Sequence, residues 1–164
     1  MHHLPASSLQ RLHTQPDTLL QLLDEADAAV LARRPASGKW SILENLAHLG
    51  RYQEVFLTRL ETLLAQDTPA FPRYAAEQDP EFARWAALPF EDVRNAFRQS
   101  RQPLVQRLTA LAPAQYARTA THPVYGRLHV VGWTEFFLLH EAHHLFTMLR
   151  LLPEVAAEAA QQQA

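Results

Sequence analysis

The sequence predicts an all-α protein, an up-down-down-up four-helix bundle with one long crossover between its second and third helices. Three observations carry this. Apolar residues recur at alternating spacings of three and four in four long segments, the pattern of a helix that buries one face. The composition, with only four glycines among 164 residues and abundant Leu, Ala and Arg, favours helix and leaves no sustained strand alternation. The connecting segments have lengths that fix which neighbours run antiparallel.

The first helix is expected over about 16–33, opened by Thr14 or Gln15 with Pro16 in its first turn, burying Leu19, Leu22 or Leu23, Ala26 and Val30. The run RPASGK breaks it. The second covers about 41–65: Ser41 and Glu44 in SILE have capping-box spacing, and Ile42, Leu46, Leu49, Phe56, Leu60 and Leu63 form its seam. The third, about 89–111, turns Phe90, Val93, Phe97, Leu104, Leu108 and Leu111 inward, with Pro103 expected to kink or split it. The fourth runs over about 130–152 and ends at Pro153; the tail 153–164 is left as a short extra helix or a frayed end. Helices one and two are joined by a short link and should be antiparallel. The segment DTPAFPRYAAEQDPEFARWAAL is long enough to return along the bundle, which makes helices two and three parallel; APAQYARTATHPVYGRL is the return to helix four.

The whole of 1–164 is read as one domain, long enough to bury a core. A net charge of −2 gives no electrostatic footprint for nucleic acid. Without cysteine there is no disulfide, thiolate metal site or cysteine nucleophile. No apolar stretch reaches the roughly 18 residues of a membrane span, and the start of the chain lacks a signal layout, so a soluble cytoplasmic protein without a membrane partner is expected.

The chemistry centres on LLHEAHHLFTML. His140 and His144 are one helical turn apart, and side chains at i and i+4 point the same way, so both rings can reach one divalent ion. They occupy the bundle seam that runs Val130, Trp133, Phe137, His140, His144, Leu151, where buried polar rings need partners. Two imidazoles make a weak site, and His48, on the row Glu44, His48, Tyr52, Val55 of helix two, is the candidate third ligand; alone it would read as a boundary histidine bonded to a carbonyl. Three neutral imidazoles leave a position open, a catalytic pattern. His143 competes with His144, but its row, Phe136, Leu139, Thr147, Arg150, turns to solvent, and Glu141 reads as solvated.

With these residues in place, the blocks GKWSILENLAHLGRYQEVFLTRL and THPVYGRLHVVGWTEFFLLHEAHHLFTML, in this order and at this separation, resemble the DinB superfamily of DinB/YfiT-like metalloproteins. The resemblance implies a DinB-type bundle, a nickel or zinc ion on His48, His140 and His144, frequent homodimers, and for some members transfer of a low-molecular-weight thiol to an electrophile, or maleylpyruvate isomerisation. Pro103 inside helix three and His129 in place of a Ser or Thr cap depart from the expected pattern.

Around the centre, Glu44 could orient His48 or act as a base, although its capping box accounts for it; His122, with Tyr125 and Arg127, could reach over the metal from the return loop. Phe71, Tyr74, Phe82 and Trp85 of the crossover could roof a pocket, with Arg73 and Arg84 available for carboxylates. The expected function is metal-dependent transfer of a low-molecular-weight thiol to a small-molecule electrophile. Metal-dependent hydrolysis and a non-catalytic metal-binding bundle of the stress response are the alternatives.

Overall fold

The computed structural model describes residues 3–161. Its long helices are α1 (Ala6–Leu23), α3 (Ile42–Ala65), α5 (Phe90–Thr109) and α6 (Val130–Gln161); short helices α2 (Ala28–Ala32) and α4 (Pro80–Ala86) lie in the connections. Cross-helix contacts fix the directions. Gln53 meets Phe97, and Glu61 meets Arg107 further along both helices, so α3 and α5 are parallel. Asn45 faces His144 and His48 faces His140, so α3 and α6 are antiparallel. Arg11 pairs with Glu135 and Gln15 with Leu138, so α1 runs with α6. The result is the up-down-down-up order, with α4 and a single turn at Ala76–Gln78 inside the crossover.

Helix one departs from its expected range of 16–33. It starts at Ala6, after Pro5, and carries Pro16 in its interior rather than its first turn. Proline there leaves the Leu12 carbonyl without its helical donor, and Arg101 of α5 supplies one, Nη1 to O at 3.3 Å. The helix stops at Leu23 because Asp27 caps a new turn, accepting from the Ala29 amide at 2.7 Å. Pro103 does not split α5. Pro153 does not end α6, which continues to Gln161; it frees the carbonyl of Leu149, a residue on the exposed face. Of the tail 153–164, residues 162–164 lie outside the described ones.

The expected absence of sheet also needs correction. Thr119–His122 and Gly126–His129 form a two-stranded antiparallel hairpin, β1 and β2. Gly126, at φ +67°, adopts the left-handed conformation that closes its three-residue loop. The crossover is tied to β1: the Phe71 amide donates to the Thr121 carbonyl at 2.8 Å and the Thr121 amide to the Pro69 carbonyl at 2.9 Å. At the hairpin's end, His129 Nδ1 accepts from the Gly132 amide at 2.9 Å and so does the work of the absent Ser or Thr cap.

The apolar seams of the sequence pack as two buried clusters, one around Phe56, Leu104, Trp133 and Phe137, the other around Leu46, Phe97, Met148 and Val155. The crossover docks through Trp85 against Gly50, where a β-carbon would lie 2.2 Å from the indole; only glycine admits this approach.

Candidate metal centre

His48 on α3 and His140 and His144 on α6 converge between the two clusters, with one ligand nitrogen of each within 4.8 Å of the others. Two nitrogens on one ion bonded at about 2.0–2.1 Å stand about 3–4 Å apart, so the set is within reach of a single ion after small side-chain adjustment. The His48 and His140 Nε2 atoms face each other at 3.0 Å. Their Nδ1 atoms are buried with no partner. In the metal-free protein one Nε2–H donates to the other Nε2, whereas with both protons on Nδ1 each ring would offer an Nε2 lone pair to a cation.

Asn45 fixes the third ring. Its Nδ2 donates to the Ser41 carbonyl at 2.8 Å, which leaves Oδ1 to accept from His144 Nδ1 at 2.8 Å. His144 therefore carries its proton on Nδ1 and keeps the Nε2 lone pair for a metal. Trp40, Tyr52 and Tyr74 enclose the rings, with centroids 5.1 Å from His48, 4.3 Å from His140 and 5.8 Å from His48 respectively.

Burial pushes His48 down to about 4; burial and then the neighbouring histidines push His140 to about 3 and His144 to about 2. All three are neutral near pH 7, the ligating form. The unfolded chain takes up protons at these side chains near pH 6.5. From there down to about 4, 3 and 2 it binds more protons than the folded metal-free protein, so stability falls as pH falls. The metal-free protein should show an unfolding free energy that is flat above about pH 7 and drops below 6.5, at up to about 1.4 kcal/mol per pH unit for each histidine, with the urea midpoint falling in step. Urea titrations at successive pH values check this; a midpoint unchanged between pH 7 and 5 would contradict it.

The His48 and His140 rings line a cavity of about 310 Å³. Arg59, Arg73, Tyr74, His122 and Tyr125 line it, whereas Arg127 does not. The His122 Nδ1 accepts from the Val124 amide at 3.2 Å, so its proton sits on Nε2. Burial first, and then Arg59 and Arg73, lower its affinity for a second proton. Beyond Arg59, Arg73 and Tyr74 lies an outer groove of about 630 Å³.

His143 is exposed and stands outside the ligand group. Glu44 is engaged elsewhere: its carboxylate closes the capping box with Ser41 and binds Arg34. Arg84 pairs with Glu81, away from the cavity. Glu141 is not solvated; at 1 % exposure it is ion-paired with Arg101. The sequence reading missed Asn45, a polar residue inside the α3 seam one turn before His48. It also missed Arg59, which lies eleven residues, about three turns, beyond His48 on the same face.

A family model of the DinB superfamily matches residues 11–148. The chain belongs to the DinB superfamily. Among solved structures it is similar to YfiT from Bacillus subtilis, described as a probable metal-dependent hydrolase with an unusual four-helix bundle topology. That match has 17% identity and a TM-score of 0.71, over 94% of this chain and 86% of that one. It is similar to TT2238, a four-helix bundle protein, at 28% identity and a TM-score of 0.64, over 87% of this chain and 95% of the other. It is similar also to the mycothiol-dependent maleylpyruvate isomerase, at 15% identity and a TM-score of 0.68, spanning 94% of this chain but 65% of that one. None of the curated proteins matches it. No helix among the described residues of this DinB-superfamily protein is long and apolar enough to cross a membrane.

Proposed function

We propose that this DinB-superfamily protein is a divalent-metal-dependent enzyme that transfers a low-molecular-weight thiol to a small electrophile. The observation that carries the reading is the pairing of a three-histidine group with two neighbouring spaces that share Arg59, Arg73 and Tyr74 as lining. The inner cavity of about 310 Å³ suits a small electrophile, and the outer groove of about 630 Å³ suits a cosubstrate of peptide size. With no cysteine in the chain, the thiol is external. His48, His140 and His144 would hold nickel or zinc, both suited to imidazole ligands. Such an ion supplies Lewis acidity that favours the deprotonated form of a thiol or of water near neutral pH.

The chain's own groups complete the site. The Tyr52 hydroxyl accepts from Arg59 at 3.3 Å, and burial raises its pKa above the ordinary phenol range, so it keeps its proton as a donor. The His122 Nε2–H is a second donor at the cavity wall. Tyr74 is held against His48 by its bond to Asp79 at 2.9 Å, and Asp79 is anchored by Arg51 at 2.8 Å. This bracing keeps the wall between cavity and groove in place. The likeness to YfiT, described as a probable metal-dependent hydrolase, supports hydrolysis as the second reading.

The two readings separate in one assay. A chlorinated dinitrobenzene or an epoxide is offered with metal present or chelated, and with glutathione, bacillithiol, mycothiol, coenzyme A or no thiol; ester, amide and phosphoester substrates run in parallel. Turnover is expected only with metal and one matching thiol together. Metal-dependent turnover without thiol would favour hydrolysis, and silence throughout at full occupancy would favour a bundle that binds metal without turnover.

A further inference from the structure

Arg59 is buried at 8 % exposure on the wall of the inner cavity, yet it meets no carboxylate among the described residues. Its Nη1 donates to the Tyr52 hydroxyl at 3.3 Å, its Nη2 donates to the Pro72 carbonyl at 2.6 Å, and its guanidinium stands 5.5 Å from the Phe71 ring centre. Two of its five N–H donors are used in this way. The contrast within the molecule is instructive: the other buried arginine, Arg101, has Glu141 as a full counterion. A buried guanidinium with neutral acceptors alone is uncommon, because taking the charge out of water is costly unless an anion meets it.

The rest of the cavity has the same sign. Arg73 stands exposed on the rim and lines the space from the crossover, and His122, whose proton sits on Nε2, lines it from the hairpin. Among the described residues no acidic one lines the cavity, although the chain holds 17 Asp and Glu against 15 Lys and Arg. Phe136 and Tyr125, with rings 4.7 Å apart, give the space one aromatic wall. A site with donors at one end, an aromatic wall and room for about a dozen heavy atoms matches one chemical class.

We infer that the inner cavity binds a small organic carboxylate, its oxygens on Arg59 and Arg73 with the His122 Nε2–H as a further donor, and its apolar body against Phe136 and Tyr125. This rests on the proposed function only in taking the cavity as the electrophile's place. Recognition of the anion itself uses no metal ion. The guanidinium fork matches a carboxylate in plane and spacing, which an ammonium does not.

The test is calorimetric titration of the whole protein with benzoate, benzamide and phenyl phosphate, on metal-loaded protein and again after chelation and removal of the chelator. Benzoate is expected to bind both forms, about tenfold or more tighter than benzamide, the worth of one charge-assisted hydrogen bond. Arg73→Gln should remove that preference while metal content and far-ultraviolet circular dichroism stay as in the parent. Arg59→Lys, which keeps the charge but loses the fork, should weaken benzoate, and Arg127→Gln on the outer hairpin should not. Benzamide binding as tightly as benzoate, unchanged benzoate affinity in Arg73→Gln, or phenyl phosphate binding tighter than benzoate would each overturn the carboxylate assignment. Benzoate binding to a protein that proves to hold no metal would leave this inference standing while the proposed function fails; thiol turnover without benzoate binding would do the reverse.

Discussion

Purified protein should carry about one divalent ion per chain, and His48→Ala, His140→Ala and His144→Ala should each empty most of it, as measured by elemental analysis after dialysis. Each substitution leaves two nitrogens, and among the described residues no fourth side chain belongs to the ligand group between α3 and α6 to replace the loss. His143→Ala should leave occupancy unchanged, because that ring is exposed and outside the group. Asn45→Ala is graded between these. It frees the His144 ring to rotate and to change tautomer without removing a ligand, an effect worth about 10- to 100-fold in metal affinity. Since an ion that binds only the folded state stabilises it by mass action, saturation at about a thousand times the dissociation constant should add about 4 kcal/mol in wild type. The alanine variants of the ligands should lose that gain. Loss of metal in His143→Ala with retention in His144→Ala would reverse the ligand assignment.

What the sequence shows of this centre is what helical periodicity and local capping can encode. The α3 and α6 seams, the Ser41–Glu44 capping box and the i, i+4 spacing of His140 and His144 are properties of one helix at a time, and each is visible in a window of a few turns. The true start of α1 is not, because Pro16 looks like a first-turn proline until Arg101, far along the chain on α5, supplies the donor that Leu12 lacks. The hairpin escaped because strands of four residues are too short to show alternation. Arg59 and Asn45 gain their meaning only across helices, from the Pro72 carbonyl of the crossover and from His144. Glu141 was misread although a signal existed: it sits four residues after Phe137 and seven before Met148, on a second buried row of α6 beside the histidine row. A helix that packs against three others buries more than one seam, and a single-seam reading assigns the second to solvent.

That second row leads to the largest expected effect on folding. Glu141→Ala should lower stability by about 3–5 kcal/mol, because it leaves the Arg101 guanidinium buried without its counterion. Arg101 is 5 % exposed; it donates through Nε to Gln53 at 2.5 Å, through Nη1 to Leu12 and through Nη2 to Glu141, and it stands 4.9 Å over the Phe137 ring. Gln53 in turn donates to the Phe97 carbonyl and the Ser100 hydroxyl, each at 2.9 Å, so one network ties α1, α3, α5 and α6 together. Burial raises the Glu141 carboxyl while Arg101 pulls it back, and Oε1 has no hydrogen-bond partner, since the nearby Gln15 amide donates to the Leu138 carbonyl instead. The pair is therefore costly to break yet not strongly stabilising in itself, and the two statements have different consequences. In thermal melts of the metal-free protein, Glu141→Ala should fall by roughly 2–4 °C for each kcal/mol lost. Arg101→Met with Glu141→Leu, which removes both charges and roughly keeps the volume, should recover much of that loss, as replacement of buried ion pairs by apolar residues often does. A double variant no more stable than Glu141→Ala alone would instead mean that the bonds Arg101 makes to Gln53 and to the Leu12 carbonyl freed by Pro16 carry the stability, with Glu141 serving only to hold the guanidinium in place for them.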